Sequence, residues 1–349
     1  MRKILFTGGG SAGHVIPNIA LMEEILSSGK ADVCYMGTDG IEKQLISDWK
    51  IPFHQIDCPK FVRGGIQSLK QNLKIPAALL QAEKQALEGL RIFQPDVVFS
   101  KGGYVALPVI FAAKKLHIPC YAHESDFSLG LANRLSVGKC QCVFTSFPET
   151  ADKLRRGKYS GAPIRKSLFG ATKAESRKKF GIPFQEKVIL AFGGGSGSTA
   201  INEALRKHLK TLTKKYVILH VCGKGNLSNN NLKNYHQFEF IADMGTAYAC
   251  ADLIISRAGA GAIFEILALK KPSILIPLEG QTRGDQIENA AYFSKRKLCH
   301  ILRQEHLDSL PQAIDNVIND ETLKNALLES HYTSGNEIIL RELYKTLQK

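Results

Sequence analysis

The chain has 349 residues, 44% of them hydrophobic, and a formal net charge of +14. That length and apolar share exclude a disordered polypeptide and favour two domains, each with its own core. The basic excess is spread over both halves and suits anionic partners: nucleotide phosphates, an anionic membrane face, or nucleic acid. For nucleic acid, however, the sequence has no concentrated basic face or aromatic-rich motif.

Apolar runs are too short to cross a bilayer and the first residues enter a strand rather than a signal sequence, so a cytoplasmic chain is expected. The eight cysteines are scattered without a CxxC pair. Reduced core thiols and no structural zinc are the expectation.

Strand 3–7 runs into Gly8-Gly9-Gly10-Ser11-Ala12-Gly13-His14, a flexible loop that delivers a histidine to a helix over 16–28. Glycine permits positive φ and close backbone approach, so the turn suits an anion or a sugar; a simple tight turn would use the same residues. It matches neither the Rossmann fingerprint nor a P-loop. Strand 32–36, helix 40–49 and strand 53–56 follow. Apolar and basic residues then mix from 61 to 84, which fits a membrane surface or an amphipathic helix facing its own core.

Helix 76–93, strand 96–99, helix 107–116 and strands 119–122 and 142–145 continue the alternation, which predicts an α/β chain with a parallel sheet. Tyr104 follows Lys101-Gly102-Gly103, and His123-Glu124-Ser125-Asp126 follows strand 119–122. Both groups converge with His14 at the carboxyl ends of the strands, where open α/β sheets bind ligands. A turn-rich segment through Arg165 puts the domain junction near 160–170.

The second half repeats the device: strand 188–192, the loop Gly193 to Ser198 including Gly195 and Ser196, and helix 199–212. Strands 216–221 and 237–241 and helix 243–250 come next. Strand 252–255 leads into Arg257 to Glu265, where Ala260, Gly261 and Ala262 start a helix whose free N–H groups favour a pyrophosphate. Glu265, one turn on, could accept from two ribose hydroxyls or act as an ordinary capping residue. After strand 273–276, Gln286 and Asn289 share a face of helix 286–297, where amides suit sugar hydroxyls unless they are plain surface residues. Strand 299–302 and a helical stretch over 309–348 close the sequence.

These motifs, in this order, resemble the MurG family of UDP-N-acetylglucosamine transferases, which act on lipid-linked muramyl-pentapeptide in peptidoglycan synthesis and so bear on cell shape and division. The resemblance implies a GT-B glycosyltransferase fold, two Rossmann-like domains facing across a cleft. Residues 1–163 would bind the acceptor and the cytoplasmic face of the cell membrane, peripherally and through 61–84. Residues 164–330 would bind UDP-GlcNAc, and 331–349 would form a helix packing back on the first domain.

It further implies inverting transfer of GlcNAc to the C4 hydroxyl of undecaprenyl-diphosphate-linked N-acetylmuramyl-pentapeptide, with no cofactor and no metal. His14 would be the base, and Glu124 a second base or the residue orienting it. Ser11, Ala12, Gly13, Tyr104, Asp126, Gly195 and Ser196 would contact substrate. Arg165 would lie near the donor, Ile241 beside uracil, Ala260, Gly261, Ala262 and Glu265 at pyrophosphate and ribose, and Gln286 with Asn289 on the GlcNAc.

The chain departs from the family pattern at Ser11-Ala12 (Thr-Gly), at Ser125-Asp126 (Gln-Asn), at Ala162 (Asn), at Gly195 (Ser), and at Gly261-Ala262, which offer no hydroxyl. Alternatives are another GT-B enzyme, such as a diacylglycerol glycosyltransferase, or a nucleotide-sugar-binding protein without turnover.

Overall fold

A computed structural model describes residues 2–60, 73, 75–280 and 284–348. The chain forms two compact units, Met1–Arg165 with Ser334–Lys349, and Lys166–Thr333.

The first unit is built on a parallel sheet of β1 (Lys3–Thr7), β2 (Asp32–Gly37), β3 (Phe53–Gln55), β4 (Val97–Ser100), β5 (Cys120–Glu124), β6 (Cys142–Thr145) and β7 (Gly157–Tyr159). Their spatial order is β3-β2-β1-β4-β5-β6-β7. Alternate side chains of β1 enter different cores. Ile4 and Phe6 join Ile25, Phe99 and Phe144, whereas Leu5 joins Val98, Val109 and Ile110. Burial on both faces is why these strands read as unbroken apolar runs.

The terminal helix Asn336–Leu347 adds Ile339, Leu340, Leu343 and Leu347 to the first of those cores. Asn336, itself buried, fastens its start: Oδ1 accepts from Ile164 N (3.0 Å), and Nδ2 donates to Ile164 O (2.9 Å) and Glu24 Oε1 (2.5 Å). Asn336→Ala would leave both backbone groups of Ile164 without these partners. We expect a loss of about 1–3 kcal/mol, read from the urea midpoint of Trp49 fluorescence. Trp49 packs against this same core, so it reports the first unit.

The second unit carries β8 (Val188–Phe192), β9 (Val217–Val221), β10 (Tyr235–Phe238), β11 (Leu253–Ser256), β12 (Ser273–Leu275) and β13 (His300–Ile301). Every neighbouring pair is parallel, in the order β10-β9-β8-β11-β12-β13. β10 starts two residues before the expected 237 and ends at Phe238, because Tyr235 already pairs with Ile218. Ile241, the apolar residue that extends the sequence reading, lies beyond the ladder.

The helical stretch over 309–348 is three helices, Leu310–Val317, Glu321–Glu329 and Asn336–Leu347. Asp320 restarts the second by accepting from Leu323 N, as an N-cap residue does.

Candidate functional site

In each sheet the strand order reverses at one place, β1/β4 in the first and β8/β11 in the second. The crevice outside the carboxyl ends at such a switch point is where open α/β sheets take ligands.

The first helix begins at Ala12, four residues before the expected 16. His14 therefore sits half-buried in its first turn rather than in a flexible loop, with its backbone N–H on Ser11 O (3.1 Å). Ser11 occupies the N-cap, yet its hydroxyl makes no cap bond; it lies 2.9 Å from His14 Nδ1. The glycine loop is pinned from below. Tyr35 Oη donates to Gly8 O (2.5 Å), Asn18 Nδ2 donates to Thr7 O (3.1 Å), and Glu42 Oε2 accepts from Gly10 N (3.1 Å).

The loop after β4 packs directly on it. A Cβ on Gly103, at φ +81°, would lie 2.4 Å from Gly9 O and 3.2 Å from His14 Nδ1. A Cβ on Gly10, also at φ +81°, would strike the Tyr104 ring at 2.5 Å. Ser11, His14 and Tyr104 are thereby brought together by glycines that the packing itself requires.

Glu124, buried at the end of β5, is engaged by three donors: Asp126 N (3.1 Å), Gly130 N (2.8 Å) and Asn133 Nδ2 (2.9 Å). Its carboxylate shapes the loop that presents Asp126. Beside it Lys101 is almost fully buried and donates to Ser125 Oγ (2.7 Å). Burial lowers the Lys101 pKa, and the charges of Glu124 and Asp126 oppose that shift. His123 donates or accepts at Gly161 O (3.0 Å); burial, helped by the Lys101 charge, holds it well below the usual imidazole range. Near neutrality it is uncharged and structural. Arg165, half-buried, is the last residue of this part of the unit.

In the second unit the loop after β8 meets the loop after β9 backbone to backbone. A Cβ on Gly197 would lie 2.1 Å from Cys222 O, and one on Gly223 2.6 Å from Ser196 O. Gly195 and Ser196 are exposed at its tip, and Ser198 caps helix Thr199–Leu212. Ile241 is buried just before Asp243, the N-cap of helix Met244–Cys250.

Helix Ala260–Ala268 starts directly after the loop that follows β11, with no side chain capping it. A Cβ on Gly259 or Gly261 would meet nothing within 4 Å. The protein's own packing does not demand glycine there, unlike at Gly103 or Gly197. Glu265 Oε2 accepts from Tyr248 Oη (3.0 Å). Gln286 Oε1 accepts from Leu278 N (3.0 Å), which leaves its amide NH₂ to point elsewhere, while Asn289 on the same helix Asp285–Ser294 is fully buried.

Several of these supports escape the sequence reading. Arg257 stands in the quoted motif without a role, but it holds Ile276 O, Pro277 O and Gln304 Oε1 and so anchors the loop after β12. Burial lowers its pKa, opposed by the charge of Glu279. Glu42 and Asn133 carry no motif at all, and Lys101 stands before Gly102-Gly103 with no role assigned to it; only their burial shows them.

Among the described residues no group of three or more His, Cys, Asp or Glu side chains could hold a metal, and no helix is long and apolar enough to cross a membrane. The eight cysteines are unpaired. Of the stretch 61–84, residues 61–72 and 74 lie outside the described residues. In the described part Leu73 and Leu80 are exposed, as is Lys84.

Residues 4–145 match the glycosyltransferase family 28 N-terminal domain and residues 188–336 its C-terminal domain. A protein of Lachnoclostridium phytofermentans named UDP-N-acetylglucosamine--N-acetylmuramyl-(pentapeptide) pyrophosphoryl-undecaprenol N-acetylglucosamine transferase is 42% identical over 340 residues, 93% of this chain and 95% of its own. The crystal structure of Acinetobacter baumannii MurG superposes with a TM-score of 0.76 at 26% identity, covering 99% of this chain and all of that one. The calicheamicin glycosyltransferase CalG4 gives 0.74 at 14% identity, covering 100% and 99%, a likeness of fold alone.

Proposed function

The chain belongs to the MurG family within glycosyltransferase family 28, and on that premise we propose that it transfers GlcNAc from UDP-GlcNAc to the C4 hydroxyl of undecaprenyl-diphosphate-linked N-acetylmuramyl-pentapeptide. The observation that carries this reading is the 42% identity along 93% of the chain to a transferase of that name. Fold alone would leave the acceptor open.

The reaction is a single displacement with inversion. The C4 oxygen attacks C1 of GlcNAc from the face opposite UDP, the C1–oxygen bond to the diphosphate breaks, and the C4 proton passes to His14. An imidazole suits that role near neutral pH. The 2.9 Å contact between His14 Nδ1 and Ser11 Oγ accommodates either tautomer; in the catalytic one Nδ1–H donates to the hydroxyl and Nε2 is the basic nitrogen. Tyr104 and Asp126, with Ser11, Ala12 and Gly13, bind the acceptor. Glu124 acts through the loop it orders.

UDP departs with growing negative charge. The first-turn N–H groups at Ala260, Gly261 and Ala262 offset it, together with Arg165. The open space around Gly259 and Gly261 supports a diphosphate there. Gly195 and Ser196 flank the donor, Ile241 lies beside the uracil, and Gln286 reads the sugar, with the fully buried Asn289 behind it on the same helix.

Glu265 receives the ribose hydroxyls on the carboxylate that Tyr248 steadies. Hydrogen bonds to a charged group contribute about 1.5–3 kcal/mol. Glu265→Ala should therefore weaken UDP binding roughly 10- to 100-fold, measured by calorimetry; unchanged affinity would remove Glu265 from the ribose.

We also infer that the first unit associates peripherally with the cytoplasmic face of the cell membrane. Exposed Leu73 and Leu80 support this, as do Leu131 and Leu135 on helix Leu131–Ser136. Helix Ala106–Lys115 packs against both Leu131–Ser136 and Ile75–Phe93.

The test of the reaction is incubation of the purified protein with labelled UDP-GlcNAc and a short-chain analogue of the lipid-linked muramyl-pentapeptide. Labelled disaccharide is the expected product. Donor binding without it would overturn the assignment of the acceptor.

A further inference from the structure

Glu42 lies in the first turn of helix Ile41–Ser47, outside every motif in the sequence, and is fully buried. Among the described residues no cation pairs with it. Three backbone and hydroxyl donors converge on its two oxygens instead. Oε1 accepts from Thr38 N (2.9 Å) and Thr38 Oγ1 (2.5 Å), and Oε2 accepts from Gly10 N (3.1 Å). A buried carboxylate met only by donors of this kind is costly unless every bond is made.

The surrounding backbone is cut to fit it. A Cβ on Gly9 would lie 2.4 Å from Oε1, and one on Gly37 2.8 Å from Cγ. Gly9, read from sequence as part of a ligand loop, is thus required by Glu42. Gly10, whose N–H Glu42 holds, stands against the Tyr104 ring, and the carbonyl of Gly9 meets Gly103 beside His14. The hydrogen bonds of Glu42 go to Thr38 and Gly10 and not to a side chain proposed to meet substrate, yet it fixes the two glycines on which His14 and Tyr104 converge.

We propose that Glu42 is a positioning residue for the acceptor half of the site, holding the Gly9-Gly10 backbone so that His14 and Tyr104 keep their mutual geometry. The inference rests on the proposed transfer reaction. It also commits the Gly10 N–H to the protein, so acceptor oxygens must be met by other groups of the loop.

The experiment compares wild type, Glu42→Gln and Glu42→Asp. Glutamine keeps the shape but turns an NH₂ toward donors, and aspartate keeps the carboxylate but shortens its reach. Glu42→Gln is expected to lower kcat/KM for the acceptor analogue on the order of 10- to 100-fold, with UDP affinity unchanged and Glu42→Asp recovering part of the loss. The Gly10 amide proton, shifted downfield in wild type by its bond to a carboxylate, should move upfield in Glu42→Gln.

A structural role alone would lower the unfolding temperature without separating acceptor kinetics from UDP binding. Equal loss of both, or variants unfolded without denaturant, would overturn the proposal. So would Glu42→Gln turning over like wild type, with the reaction itself still standing. A wild-type chain that makes no disaccharide would instead overturn the reaction, and this role with it.

Discussion

His14→Ala is expected to lower disaccharide formation by roughly 10²- to 10⁴-fold, the range for loss of a general base, with UDP affinity unchanged. The separation follows from where the groups lie. His14 belongs to the first unit, whereas Ala260 to Glu265 and Gln286 belong to the second, Lys166–Thr333. Alanine is a good helix former, so it should not unsettle the first turn of Ala12–Ser28. A fall in kcat with intact UDP binding therefore isolates the proton transfer. An unchanged rate would exclude His14 as the base, and a parallel fall in UDP affinity would mean that it acts on the donor.

The α/β class and the parallel sheets are legible in the sequence because β1, β8 and β11 are buried on both faces. Val188–Phe192 and Leu253–Ser256 have no exposed residue, so strands stand out as apolar runs between helical periods. Short elements with few apolar residues are not legible. The edge strand Gly157–Tyr159, with one lysine and no buried side chain, reads as a turn. Helix Lys173–Phe180 is dominated by charge and also passes unseen.

The site divides in the same way. Glycine-rich loops and His14 declare themselves by composition. What holds them does not: Glu42, Lys101 and Asn133 look like surface residues in a linear sequence, and only the folded chain shows them buried and hydrogen-bonded to the loops of the site. Nor does the sequence tell glycines that packing demands, such as Gly103, from those it leaves open, such as Gly261.

Asp252→Asn should produce a comparable effect on stability. Asp252 precedes β11 and gathers three donors: Lys173 Nζ (2.5 Å), Arg177 Nη2 (2.6 Å) and Val188 N (2.8 Å). It thus ties the start of β8, and helix Lys173–Phe180, to the start of β11. Arg177 is 2% exposed, so removing its counter-charge strands a buried guanidinium. That typically costs about 3–5 kcal/mol.

Burial pushes the Asp252 carboxyl up, but Lys173, the Val188 N–H and the Arg177 charge outweigh it and hold the group below its ordinary value of 3.8. A carboxylate with a depressed folded-state pKa contributes stability above its unfolded value. That contribution is lost as pH falls through the lower folded value. The gap between wild type and Asp252→Asn should accordingly be full at pH 7 and narrow at about pH 3 and below.

Trp49, the single tryptophan, lies in the first unit, and two units need not unfold as one. Hydrogen exchange of the β8 and β11 amides is therefore the measurement, with β1 and β4 as the internal reference. Equal protection of β8 and β11 in both proteins at pH 7 would show that the desolvation cost of the Asp252–Arg177 pair cancels its attraction.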